Sequence, residues 1–350
     1  MRVDGKRVLV TGGLGFIGSN LAIRLASQGA HVMITDPIVE GCGGNRFNIA
    51  PVVNDVEVIE HSIDHPEVRK AIGRGEVIFN LAGEISHIHS QLLPERDLEM
   101  NTLAQLRFLQ ACAEVNPGVR IVYAGTRQVY GIPEYLPVDE KHPVNPVDFN
   151  GVHKYAATMY HLMLSRAGRI DAVVIRLTNV YGSRMALDVP CQGFLSTYLR
   201  LALTGQTLEI FGDGRQLRDP LYVDDAVEAM ILAGFTPTLR SRSYNIGGPE
   251  ALTLAKIATL TSAAASGPAP VFREFPEDRK AIDIGSYHTD STLVRRHLGW
   301  KASLRFEDGI ARTISYYRQH LDRYLDPSNP NPNCRLKHPS HPAPRLPAAV

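Results

Sequence analysis

Cysteine is scarce in this sequence: 350 residues hold four, Cys42, Cys112, Cys191 and Cys334. They lie far apart with no C-x-x-C pair, which argues against a disulfide framework or a thiolate metal site, and no metal is expected. Excess charge is missing as well, since 37 Lys and Arg stand against 36 Asp and Glu for a formal net charge of +1. Neither a nucleic acid nor a membrane surface is therefore the expected partner. No apolar run is long enough to span a bilayer. The opening residues, MRVDGKRVLVTGG, enter a core strand without the apolar stretch and small residues of a secretory signal, so a cytoplasmic protein is expected.

What is present is a rhythm. RVLVTGG, HVMITD, VEVIEH, VIFNLAG, VRIVYAG and DAVVIRLTNVYG are short apolar runs that read as buried strands. FIGSNLAIRLASQG, TLAQLRFLQACAE and KYAATMYHLMLSRAG lie among them with helical spacing. This alternation implies an α/β fold built on a doubly wound parallel sheet. After about residue 180 the pattern loosens into a smaller mixed α/β region, in which CQGFLSTYLRLALTGQ, VDDAVEAMILAGF, LAKIATLTSAAA and FEDGIARTISYYRQHL read as helices. The residues from Asp326 to 350 are rich in Pro, Asn, His and Arg without an apolar period, and a disordered tail is expected there.

TGGLGFIG places Gly12, Gly15 and Gly18 at G-x-x-G-x-x-G spacing between the first strand and the first helix. Glycines there tighten the turn and let the backbone approach a pyrophosphate, to which the helix offers its amides and dipole. The second strand ends at Asp36, where a carboxylate can bind both ribose hydroxyls and repel a 2′-phosphate. NAD is the expected cofactor.

These residues, with NLAG (80–83), Asn101 in EMNTLAQLRFLQA, YAGTRQVYG (123–131), Lys154, RLTNVYG (176–182), GDGRQLRDPLYVDDAV (212–227) and LGW (298–300), resemble the extended short-chain dehydrogenase/reductase family. Within it they are most similar to the NAD-dependent nucleotide-sugar epimerases and dehydratases, and the resemblance runs from about residue 5 to 320. It implies a Rossmann domain over 1–178 to which parts of 211–246 return, and a region over 179–325 that clamps a nucleoside diphosphate sugar. It also implies cofactor contacts from Phe16, Ile17, Ser62, Ile63, Leu81, Ala82, Gly83, Asn101 and Lys154. Relatives often carry Asp-Ile where Ser62-Ile63 stands, and a serine can still accept from the adenine amine.

The family's catalytic set is a Ser or Thr, a Tyr and a Lys, the last two spaced Y-x-x-x-K. Thr126 and Lys154 match, but counting back four from Lys154 reaches Asn150 in DFNGVHK. Oxidising a sugar alcohol needs a base for the hydroxyl proton as hydride leaves, and tyrosinate beside a lysine ammonium supplies one. An amide does not titrate in a useful range, so Asn150 can only orient a hydroxyl or carbonyl. Three explanations stay open. Lys154 or a carboxylate, imidazole or phenol from another loop takes over; the proton follows a dehydratase-like route; or the site is silent. Glu84 and His87, on the loop after NLAG, are candidate acid/base groups, and polar contacts to sugar hydroxyls or water are the competing reading.

Dehydratases of this group carry Asp-Glu after the Thr, whereas Arg127 and Gln128 follow here, so the ordinary dehydratase route looks closed. Arg127 either holds a carboxylate or stabilises an enolate, or pairs with an acid at the domain interface. The resemblance gives Asn179 and Arg218 to the diphosphate, with Arg279 as a second arginine; an ion pair of Arg218 with Asp213 or Asp219 is the alternative. It further implies a homodimer through the helices of TLAQLRFLQACAE and KYAATMYHLMLSRAG. The expected function is an NAD-dependent nucleotide-sugar epimerase, most simply a UDP-sugar 4-epimerase with UDP as the default nucleotide. An atypical dehydratase and a non-catalytic NAD-binding sensor or scaffold are the alternatives.

Overall fold

The structure, a computed structural model, describes residues 3–39, 41–189, 193–276 and 283–326. Arg279, Cys191 and the tail from residue 327 lie outside the described residues.

A seven-stranded sheet forms the centre, built from β1 (Arg7–Thr11), β2 (His31–Thr35), β3 (Val56–Ile59), β4 (Val77–Asn80), β5 (Arg120–Thr126), β6 (Asp171–Leu177) and the later strand Ser243–Ile246. All its pairings are parallel, and across the sheet β3, β2, β1, β4, β5, β6 and Ser243–Ile246 follow one another. Successive strand residues face opposite sides. Val8 and Val10 join one buried cluster with Phe79, Val122 and Val173, while Leu9 joins the other with Met33, Ile78 and Ile121. Two buried faces explain why these strands read as unbroken apolar runs.

The chain winds from β1 outward through β2 and β3, then returns to β4 and winds the other way. The crevice at the carboxyl ends of β1 and β4 is therefore the topological switch point, where open α/β sheets bind ligands. Helix α1 (Phe16–Ser27) follows β1 into this crevice. The helices of TLAQLRFLQACAE and KYAATMYHLMLSRAG span Ala104–Val115 and Phe149–Arg166, so the second begins five residues before the run that revealed it. Asp148 explains the early start: its Oδ1 accepts from the Gly151 amide at 2.6 Å and caps the helix. Helix Val223–Phe235 packs on β4 and β5. Among the described residues no helix is long and apolar enough to cross a membrane.

Candidate active site

A cavity of about 350 Å³ opens at the switch point. Gly12, Gly15, Phe16, Ile17, Gly18, Asp36, Ser62, Ile63, Leu81, Ala82 and Gly83 line one end, so the residues expected to hold a dinucleotide are brought together there. The glycines are sterically required. Gly12 has φ +66°, and a Cβ on Gly18 would stand 2.2 Å from the Gly12 carbonyl oxygen. Asp36 is buried, and its carboxylate accepts from the Leu14 amide at 3.1 Å and the Ile38 amide at 3.0 Å. Burial raises its pKa against the pull of those amides. Lone pairs remain on both oxygens for ribose hydroxyls. Ser62 Oγ donates to Asp64 at 2.6 Å and keeps its acceptor capacity. A loop closed to side chains, free amides at a helix start and a carboxylate ending β2 fit a dinucleotide.

The other end is built from side chains. Thr126 ends β5, and its Oγ1 accepts from the Gln128 amide at 3.2 Å while its own proton stays free to donate. His87, Gln128, Asn150 and Lys154 line the same cavity. His87 is not on an open loop, as expected from sequence, but opens a short helix, His87–Leu92, capped by the Ser86 hydroxyl. Its Nδ1 lies 2.5 Å from Asp148 Oδ2 and 2.7 Å from Gln128 Nε2. Asp148 thus caps one helix with one oxygen and holds an imidazole with the other. Burial works against its ionisation, but the His87 hydrogen bond and charge, with the Gly151 amide and Arg127, hold its pKa below the usual value.

Asn150 is fully buried. Its Nδ2 donates to Asp97 Oδ2 at 2.8 Å and to the Glu84 carbonyl at 3.1 Å, and its Oδ1 has no partner. Asp97, which sequence reasoning passed over, also holds His153 Nδ1 at 2.7 Å. Asn150, four residues before Lys154, thus acts as a brace between the helix of Lys154 and the loop after β4. Burial lowers the pKa of Lys154, with Asp97 and Glu84 opposing that shift.

Three expected residues do not line the cavity. Glu84 is buried, and its carboxylate accepts from the Ile85 amide at 3.1 Å, the Ser86 amide at 3.3 Å and the thiol of Cys42 at 3.2 Å. Asn101 sits on a π-helical turn, Glu99–Leu103, and donates to the Glu84 carbonyl at 3.1 Å. Arg218 donates to the carbonyls of Leu217 and Gly285 and forms neither alternative ion pair. Asn179 does line the cavity, and its Oδ1 accepts from Arg127 Nη2 at 3.3 Å. Arg127 also lines it, stacked 4.8 Å from the Tyr287 ring centroid.

The "NAD dependent epimerase/dehydratase family" model matches residues 8–247. The chain is 32% identical to a UDP-glucose 4-epimerase of Mycolicibacterium smegmatis over 316 residues, covering 89% of this chain and 98% of that protein. It is 28% identical to UDP-glucuronic acid decarboxylase 1 of Danio rerio over 328 residues, covering 91% of this chain and 74% of that protein. The crystal structure of UDP-glucose 4-epimerase with UDP-glucose from Thermotoga maritima superposes with a TM-score of 0.81 at 28% identity, covering 90% of this chain and 99% of that one.

Proposed function

The chain belongs to the NAD-dependent epimerase/dehydratase family, and on that premise we propose that it epimerises nucleotide sugars, most simply a UDP-sugar at C4 through a 4-keto intermediate. The observation that carries this reading is the meeting of a complete dinucleotide cradle with Thr126, Lys154 and the His87–Asp148 pair in one cavity.

When bound, NAD supplies the acceptor and later the donor of a hydride at the sugar carbon. The Thr126 hydroxyl donates to the reacting oxygen. His87 takes the role left vacant at Asn150. With Nδ1–H donated to Asp148, which requires the Gln128 amide to turn its oxygen and not its NH2 toward Nδ1, Nε2 carries the lone pair that accepts the sugar hydroxyl proton, and the carboxylate stabilises the imidazolium that results. The same proton returns to the oxygen when the opposite face of the keto sugar has been presented. Lys154 supplies positive charge and binds the nicotinamide ribose. Asn150 orients the substrate indirectly, by bracing the helix of Lys154 through Asp97 and the Glu84 carbonyl. Asn179 serves the diphosphate.

Homodimerisation is part of the proposal. Val152, Ala156, Met159 and Met163 are spaced as one stripe along the helix of Lys154, with Val152 48% and Met163 52% exposed, and a second copy of this stripe would cover it. A cytoplasmic location is supported by the unpaired thiols of Cys42 and Cys112.

Incubation with a panel of UDP-, dTDP-, GDP- and CDP-sugars, followed by NMR, tests the reading. A C4 epimer from at least one UDP-sugar is expected; no epimer from any member of the panel overturns it.

A further inference from the structure

Arg127 feels the charges of Asp219 and Asp148 but makes an ion pair with neither. No carboxylate lies within ion-pair distance of its guanidinium among the described residues, although it lines the cavity. Its Nη1 is buried and has no hydrogen-bond partner, and Nη2 has only the 3.3 Å contact to Asn179. The nearby acids are occupied. Asp219 accepts from Thr178 Oγ1 at 2.5 Å and from the Thr289 amide at 2.9 Å, while Asp148 holds His87 and the Gly151 amide. Arg218, which feels the Arg127 charge, adds to the positive field. The Tyr287 ring fixes the guanidinium plane from one side. A buried guanidinium in this state is incomplete until an anion arrives, and its planar fork matches a carboxylate.

The location narrows the choice of anion. Arg127 follows Thr126 directly and precedes Gln128, which touches His87, and its charge and that of Asp148, the partner of His87, act on one another, so it stands beside the Thr126 and His87 part of the cavity. We propose that Arg127 binds the C6 carboxylate of a nucleotide-linked hexuronic acid, making a uronate the preferred substrate class. This rests on the epimerase reading above.

Calorimetric titration of the holoprotein with UDP-glucuronate, UDP-glucose and UDP tests it. Wild type should bind the uronate about 10- to 100-fold more tightly than the neutral hexose, the gain expected of a charge-assisted fork. Arg127→Gln should abolish that preference and leave UDP-glucose and UDP affinities within about threefold. Should that variant fail to fold, Arg127→Lys decides the question, since a point charge without the fork must lose part of the preference. Equal affinity of wild type for uronate and hexose overturns the inference and leaves the epimerase reading standing. An equal loss of all three ligands in the variant overturns it too, by assigning Arg127 to the diphosphate. Failure of wild type to bind any UDP-sugar removes both readings.

Discussion

The two ends of the cavity are made of different material. The dinucleotide end is backbone: glycines, the start of α1 and one carboxylate held by loop amides. The sugar end is side chain: His87 on Asp148, Asn150 on Asp97, Arg127 over Tyr287. Backbone machinery tolerates little variation because its atoms are shared with the fold. Side-chain machinery can be rewired, and on the proposed reading Asn150 is a rewiring of that kind. Substitutions at the first end should therefore act on cofactor and fold together, and those at the second on chemistry first, with stability following only where the side chain is a buried brace.

The largest effect is expected at Gly18. A Cβ there meets the Gly12 carbonyl oxygen at 2.2 Å and the Gly13 Cα at 2.9 Å, both backbone atoms. Gly18→Ala must open the loop. NAD affinity by calorimetry should fall more than about 100-fold, and the melting temperature should fall with it. Wild-type-like NAD binding would show that the cradle is not the cofactor site.

Next comes His87. His87→Ala should lower kcat by about 100- to 10,000-fold, the usual worth of general acid–base catalysis, while NAD affinity and melting temperature stay near wild type. Asp148→Asn keeps a hydrogen-bonding group but not its charge and should lose less. Activity of His87→Ala within about threefold of wild type would end the assignment of this imidazole as the base.

Legibility in the sequence follows the same division. The parallel sheet, the glycine loop and Asp36 were readable because their signals are local: period, spacing and a strand end. Asp148 was half readable. An Asp before a helical run marks an N-cap, but its second oxygen serves His87, 61 positions away, and no local pattern announces that. Asp97 had no signal, because either acid of PERDL, Glu95 or Asp97, reads as a solvated helix residue until tertiary packing places Asp97 against Asn150 and His153. Glu84 and His87 stood three positions apart and looked equivalent, and only the fold separates them: His87 lines the cavity, and Glu84 ties down the backbone.

Restoring the familiar phenol is a smaller and opposite test. Asn150→Tyr should not raise kcat. The site is fully buried, and the amide donor lost would leave Asp97 Oδ2 and the Glu84 carbonyl without their bond from residue 150. A stability loss of about 1–3 kcal/mol in denaturant unfolding is expected from those acceptors and from overpacking. A large gain in turnover would mean that the wild-type site is a damaged tyrosine site and that its rewiring serves no chemistry.

The smallest effect is expected at Glu84, and its smallness carries the point. Glu84 does not line the cavity, and its oxygens serve the Ile85 and Ser86 amides and the Cys42 thiol, with Arg96 at 4.0 Å. Glu84→Gln keeps one carbonyl-type acceptor for the two amides and exchanges the other oxygen for an NH2 group. Cys42 loses an ionised acceptor, and Arg96 loses a distant charge. Stability should drop by about 0.5–1.5 kcal/mol, the net worth of one ordinary hydrogen bond. Turnover should stay within about threefold of wild type, because general acid–base catalysis is worth far more than that and Glu84 takes no part in it. Initial-rate kinetics of Glu84→Gln beside His87→Ala read the difference directly. A collapse of kcat in Glu84→Gln with unchanged melting temperature would move the proton to the carboxylate and remove it from the imidazole.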